Sequence, residues 1–132
     1  MILFSRLLDG LVYMPSRNGK LRLLVDYFRA APDPDRGWAL AALTETLDLP
    51  TAKPALLREL VASRVDPELL GWSYDYVGDF AETAALIWPG RPTEESAPTV
   101  GQVVAGLTGA TRAESPKLLE SWLDACSADQ RY

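Results

Sequence analysis

Prolines and glycines cut this chain into short segments, and inside nearly every segment the apolar residues recur at i, i+3, i+4 and i+7. That period admits helices and excludes an alternating strand pattern, so the fold class predicted is all-α, with about eight helices in one compact domain over residues 1–132. Phe4, Leu7, Leu8 and Leu11 form the first stripe, which stops before Pro15. Ser16 caps a second helix with Leu21, Leu24, Val25 and Phe28 inward, ended by Pro32 and Pro34. A third runs from Pro34 to Leu47 with Leu40, Leu43 and Leu47 inward, and Pro50 closes it. Lys53-Pro54 and Asp66-Pro67 each place proline in a first helical turn. The fourth helix then buries Leu57, Leu60 and Val61 as far as Arg64, and the fifth buries Leu70, Tyr74 and Val77 until Gly78. Asp79 caps a sixth helix through Phe80, Ala84 and Ile87 to Trp88. The polar stretch from Gly90 to Pro98 reads as an exposed, mobile loop. Thr99 caps a seventh helix striped by Val100, Val103, Val104 and Leu107, and Ser115-Pro116 opens an eighth that buries Leu119, Trp122, Leu123 and Cys126.

The residue inventory removes most chemistry. Histidine is absent, so the usual general base and the commonest metal ligand are missing, and a lone cysteine, Cys126, rules out a zinc cluster or an internal disulfide. Cys126 reads as a small buried hydrophobe in a reducing, cytoplasmic setting. None of Lys20, Lys53 and Lys117 lies in the Lys-x-Asp-Gly pattern of a covalent nucleotidyl transferase. The chain is predicted to have no catalytic residue, no metal and no cofactor of its own, and to work by binding or positioning. Arg6 and Asp9 interrupt the apolar start before a signal peptide is complete, and no run is long enough to span a bilayer, so no membrane partner is expected.

Net charge is −5, which by itself disfavours a polyanion, yet the charge is unevenly spread. Residues 1–30 hold five cations against two carboxylates, whereas residues 65–132 hold eleven carboxylates against four cations. Within the basic end, Ser16-Arg17-Asn18-Gly19-Lys20 puts a hydroxyl and two cations on the first turn of a helix, where free N–H groups and the dipole already favour an anion. Arg17 and Lys20 share a face there, and a phosphodiester fits between them and the Ser16 hydroxyl. On spacing alone, an ordinary capped helix with solvated cations is the favoured reading. Gly78-Asp79 is a second candidate, since a glycine between helices lets a nucleic-acid backbone come close, although a plain helix corner accounts for it more simply. Asp75, Asp79 and Glu82 do not form a metal site, because the break at Gly78 interrupts their helical spacing. Trp38, Trp72, Trp88 and Trp122 fall on or beside apolar stripes, and core packing suits most of them better than base stacking. Lys117 stands in the first turn of the eighth helix with Glu114 and Glu120 nearby, where solvent exposure is its plainer role.

Three stretches resemble a known family. Tyr13 to Leu24 (YMPSRNGKLRLL), Pro32 to Leu40 (PDPDRGWAL) and Ser73 to Ala84 (SYDYVGDFAETA) are similar to the N-terminal DNA-binding domain of bacterial ATP-dependent DNA ligases, with Thr99 to Val103 and Pro116 to Leu119 resembling its later helices. The resemblance extends over essentially the whole chain. It implies a monomeric helical domain that holds nicked double-stranded DNA without sequence preference, through backbone and minor-groove contacts. Separate adenylation and OB-fold domains beyond Tyr132 would do the chemistry with ATP and Mg. It further implies DNA contacts at Ser16, Arg17, Asn18, Lys20, Gly78, Asp79 and Lys117, and roles in DNA repair, replication and recombination. Ala81 departs from the family pattern, which often has a second glycine there. The chain's last residues lack a glycine or proline terminator and read as an internal point of a longer ligase. A competing expectation is a helical protein-interaction module without DNA binding, using the acidic C-terminal half as its surface.

Overall fold

The computed structural model describes residues 1–92 and 97–132, and every described element is helical. The order is α1 (Ile2–Tyr13), α2 (Arg17–Ala30), α3 (Asp35–Leu43), α4 (Pro54–Arg64), α5 (Pro67–Val77), α6 (Phe80–Ile87), α7 (Val100–Gly109), α8 (Ser115–Ala125) and α9 (Ala128–Arg131). The all-α expectation holds, and no described helix is long and apolar enough to cross a membrane. Start signals in the sequence act as predicted. Ser16 Oγ accepts from Gly19 N at 3.0 Å, Asp66 Oδ1 from Glu68 N at 2.9 Å, and Asp79 Oδ1 from Glu82 N at 2.8 Å. Thr99 and Gln102 close a reciprocal capping box at α7.

Two apolar clusters organise the packing. Leu7, Tyr27, Ala31 and Ala39 join α1, α2 and α3, with Phe4, Leu11, Leu23 and Leu24 packed around them. Leu60, Val61, Val65, Ala84 and Trp88 join α4 and α6, with Leu119 and Leu123 of α8 against them. Two elements tie the halves together. α7 packs on α3 from one half and α8 from the other, and the short α9 packs on both α1 and α6. Ser5, almost fully buried in α1, donates its hydroxyl to the Gln130 carbonyl at 3.3 Å, which fixes α9 in place. The sequence pattern did not anticipate α9, because four residues are too few to show a period.

Several predicted faces are rotated. In α2 the buried residue is Tyr27, at 7% exposure, while Leu21 and Val25 are 49% and 43% exposed. The ring of Tyr27 lies 5.9 Å from that of Phe4 and 5.4 Å from that of Phe28, so an aromatic outside the expected stripe anchors the helix. Tyr74, expected inward on α5, is 44% exposed. Trp38 and Trp72 are also exposed, which leaves Trp88 and Trp122 as the tryptophans that pack inside. Cys126 is buried as expected but follows α8 as its C-cap, and burial pushes its thiol pKa up. The expected Gly90 to Pro98 loop falls partly on residues 93–96, outside the described residues; Gly90, Arg91 and Pro92 are exposed and Pro98 is buried.

The third helix stops four residues early, at Leu43, with Leu40 51% exposed and Ala39 taking the buried position. After Thr44 N, which still donates to the Leu40 carbonyl at 3.0 Å, the i→i−4 ladder ends: Thr46 N and Leu47 N both turn back to the Ala41 carbonyl at 2.9 and 3.1 Å. The Thr44 and Thr46 hydroxyls add bonds to the Leu40 and Ala41 carbonyls at 2.8 and 3.2 Å. The chain reverses through Glu45, whose φ of 57° lies in the left-handed region. Because a side chain there costs roughly 1–2 kcal/mol, only part of which glycine loses again in unfolded-chain entropy, Glu45→Gly is expected to stabilise the protein by about 0.5–1 kcal/mol. A urea titration of both proteins checks this.

Candidate nucleic-acid interface

The start of α2 is built by a tight connection from α1. Met14 N donates to the Gly10 carbonyl at 3.0 Å, ending α1, and Ser16 adopts an extended backbone before Arg17 begins the next helix. Gly19 gives the cap and the Met14 side chain their room. A Cβ on it would lie 2.7 Å from Ser16 Oγ and closer still to the Met14 thioether, so any larger residue displaces the cap or the methionine. The Ser16 hydroxyl accepts from Gly19 N at 3.0 Å and donates weakly to the Met14 thioether at 4.0 Å, a bond that a stronger acceptor in solvent would displace. Among the described residues the amides of Arg17 and Asn18 have no acceptor, as expected of an open first turn. That turn contains no carboxylate, and Ser16, Arg17, Asn18 and Lys20 are all exposed. Neither Arg17 nor Lys20 has a carboxylate within 4.0 Å among the described residues.

Gly78 and Asp79 form the corner between α5 and α6. Gly78 caps α5 with a φ of 80°, donates to the Tyr74 carbonyl at 2.8 Å, and has open space where a side chain would be. Only glycine adopts that φ readily, so the corner itself explains the residue. Asp79 is committed as the α6 cap, which places a carboxylate, and not a phosphate-seeking cation, at that helix start.

What the sequence cannot display is that Lys20 of the first candidate site and Asp79 of the second are brought to one recess. Lys20 from α2 and Asp79 and Ala81 from α6 line one open recess of about 520 Å³, floored by Leu8, Leu11 and Val12 of α1 and closed by Tyr132. Lys117 is not part of it. It stands on the first turn of α8, which packs on α4 and α7. There Glu114 turns away to accept both Thr111 N and Thr111 Oγ1 at 2.8 Å, and Glu120 pairs with Arg64. Those two hydrogen bonds, with Lys117 adding a smaller pull, hold the Glu114 carboxyl below its usual pKa.

Arg6 lines a neighbouring cavity of about 260 Å³ between α1, α6 and α9, whose walls include Asp9, Glu82 and Asp129. Arg6 therefore lies among carboxylates in a cavity that Lys20 does not line. Tyr132 stands at the junction, and its hydroxyl pKa is raised by burial first and then by the fields of Asp79, Glu82 and Asp9. Sequence reasoning missed Tyr132 because its position depends on α9 folding back. Val12 and Tyr13, 61% and 72% exposed, were legible as apolar residues off the α1 stripe. Comparison of the chain with family models, with curated proteins and with solved structures finds no match, so the likeness to a ligase domain rests on the residues quoted above.

Proposed function

We propose that this chain is the N-terminal DNA-gripping domain of a bacterial, cytoplasmic ATP-dependent DNA ligase. In this reading it holds duplex DNA around a nick by its phosphate backbone and minor groove. Adenylation and OB-fold domains elsewhere in the protein use ATP and Mg to seal the break. The observation that carries the reading is the carboxylate-free first turn of α2, where Ser16, Arg17 and Lys20 are exposed and the amides of Arg17 and Asn18 are open. A phosphate placed there meets fixed donors, the positive end of a helix and two mobile cations. Lys20 also lines the recess that Asp79 borders, so the phosphate backbone is held on the α2 side of that recess, away from the carboxylate. The surrounding carboxylates keep the affinity of this unit low, which suits a ligase that shares its cationic contacts among three domains.

A nicked duplex labelled for anisotropy tests the reading at low salt. Arg17→Ala/Lys20→Ala is expected to weaken binding roughly tenfold or more and to reduce the log–log salt slope by about 2, one for each cation withdrawn from a phosphate. Equal affinities and equal slopes for the two proteins would remove this site.

A further inference from the structure

α5 presents a face that no other element among the described residues covers. Leu69, Trp72 and Tyr76, at i, i+3 and i+7, are 48%, 70% and 94% exposed, and the helix has no fully buried residue. Its inward side, Leu70 and Val77, packs toward α6 and the α4 cluster. An aromatic pair one turn apart, standing almost free in water, is a large apolar surface for a helix of eleven residues.

Charge decides what fits on it. From Val65 to Asp79 the chain carries Asp66, Glu68, Asp75 and Asp79 and no lysine or arginine. Asp66 and Asp79 cap α5 and α6, keeping their charge at the two ends of the face. Glu68 and Asp75 are exposed and have no cation within 4.0 Å among the described residues. Arg58 is engaged over the Phe80 ring, 5.4 Å from its centroid. A polyphosphate or an anionic lipid surface is repelled by this field, and a second copy would bring the same four carboxylates against their like.

We infer that Leu69, Trp72 and Tyr76 form a docking face for a basic amphipathic segment of another protein, apolar along one side and flanked by Lys or Arg. Its apolar side covers the stripe, and its cations meet Glu68, Asp75 and the faces of Trp72 and Tyr76. This surface is distinct from the start of α2, so the inference stands whether or not that turn grips DNA.

Two fluorescein-labelled helical peptides serve as probes for anisotropy on the full chain. Both carry Leu at i, i+3 and i+7; one is flanked by Lys and Arg, the other by Glu at the same places. The basic peptide is expected to bind saturably, at least tenfold more weakly to Trp72→Ala/Tyr76→Ala, and several-fold more weakly to Glu68→Gln/Asp75→Asn. All four side chains are exposed, and unchanged thermal melts verify that the variants fold. The inference is overturned by an absence of saturable binding, by equal binding of the acidic peptide, or by indifference to both variants. Sedimentation that shows a dimer lost on Trp72→Ala assigns the face to a second copy and overturns it too. So does duplex binding that fails in the aromatic double variant.

Discussion

Trp88→Ala is expected to destabilise the protein by about 4 kcal/mol, within the range of roughly 3–5 kcal/mol for removing a buried tryptophan. The side chain is 3% exposed and sits in the α4–α6 cluster with Leu60, Val61, Val65 and Ala84. It also holds a polar seam. Nε1 donates to Asp124 Oδ1 at 2.9 Å, and the Arg64 guanidinium lies 5.3 Å from the ring centroid while pairing with Glu120 and Asp124 of α8. Alanine leaves a cavity between α4 and α8 and takes away a donor from a half-buried carboxylate, so the two losses add. Since domains of this size are held by roughly 5–15 kcal/mol in all, a large part of the margin disappears. The measurement is the urea midpoint of wild type, Trp88→Ala and Trp88→Phe. Phenylalanine keeps most of the volume and loses the donor, with an expected loss of about 1–2 kcal/mol. A Trp88→Ala midpoint within error of wild type would show that the seam is not a structural centre.

Asp35→Ala has the next largest expected effect, about 2 kcal/mol, the range for a charge-assisted hydrogen bond in a partly buried place. Asp35 opens α3, yet its carboxylate works for another helix: Oδ1 accepts Gly101 N at 2.8 Å and Oδ2 accepts Val100 N at 3.3 Å. With the Thr99–Gln102 box, this satisfies the first amides of α7 from both sides. The fit is close: a Cβ on Gly101 would lie 3.0 Å from both Asp35 Oδ1 and Pro34 Cγ, so a larger residue pushes against this contact. Asp35→Ala leaves the Val100 and Gly101 amides without an acceptor at a buried helix start. Amide exchange is then expected to accelerate at Val100 and Gly101 more than across α4, whose core does not touch this contact. Uniform acceleration over the whole chain would instead mark Asp35 as part of the global fold only.

Both predictions turn on residues that no local pattern singles out. Asp35 reads as one acid in a Pro-Asp repeat, and Trp88 as the last residue of an amphipathic stripe. Their partners lie 65 and 36 positions away. The same distance hid the relation between the candidate site residues. The α2 first turn was legible because its cap, cations and glycine are consecutive, whereas its sharing of a recess with the α5–α6 corner depends on how α1 packs between them. Lys117 matched the pattern by position in a helix, but packing carries α8 to α4 and α7.

What the chain's residues settled by themselves was local: helix content, most helix starts, and the consecutive cap, cations and glycine in the first turn of α2. Capping, proline placement and a 3.6-residue period act within a few residues, and so they can be read in one dimension. Packing alone decided which side of each helix is inside. Leu21, Val25, Leu40 and Trp72 are as apolar as the residues that were buried, and Tyr27 and Ala39 took the inner places because neighbouring helices met them. Burial is a property of contact between distant segments, and periodicity sets the width of an apolar stripe more firmly than its direction.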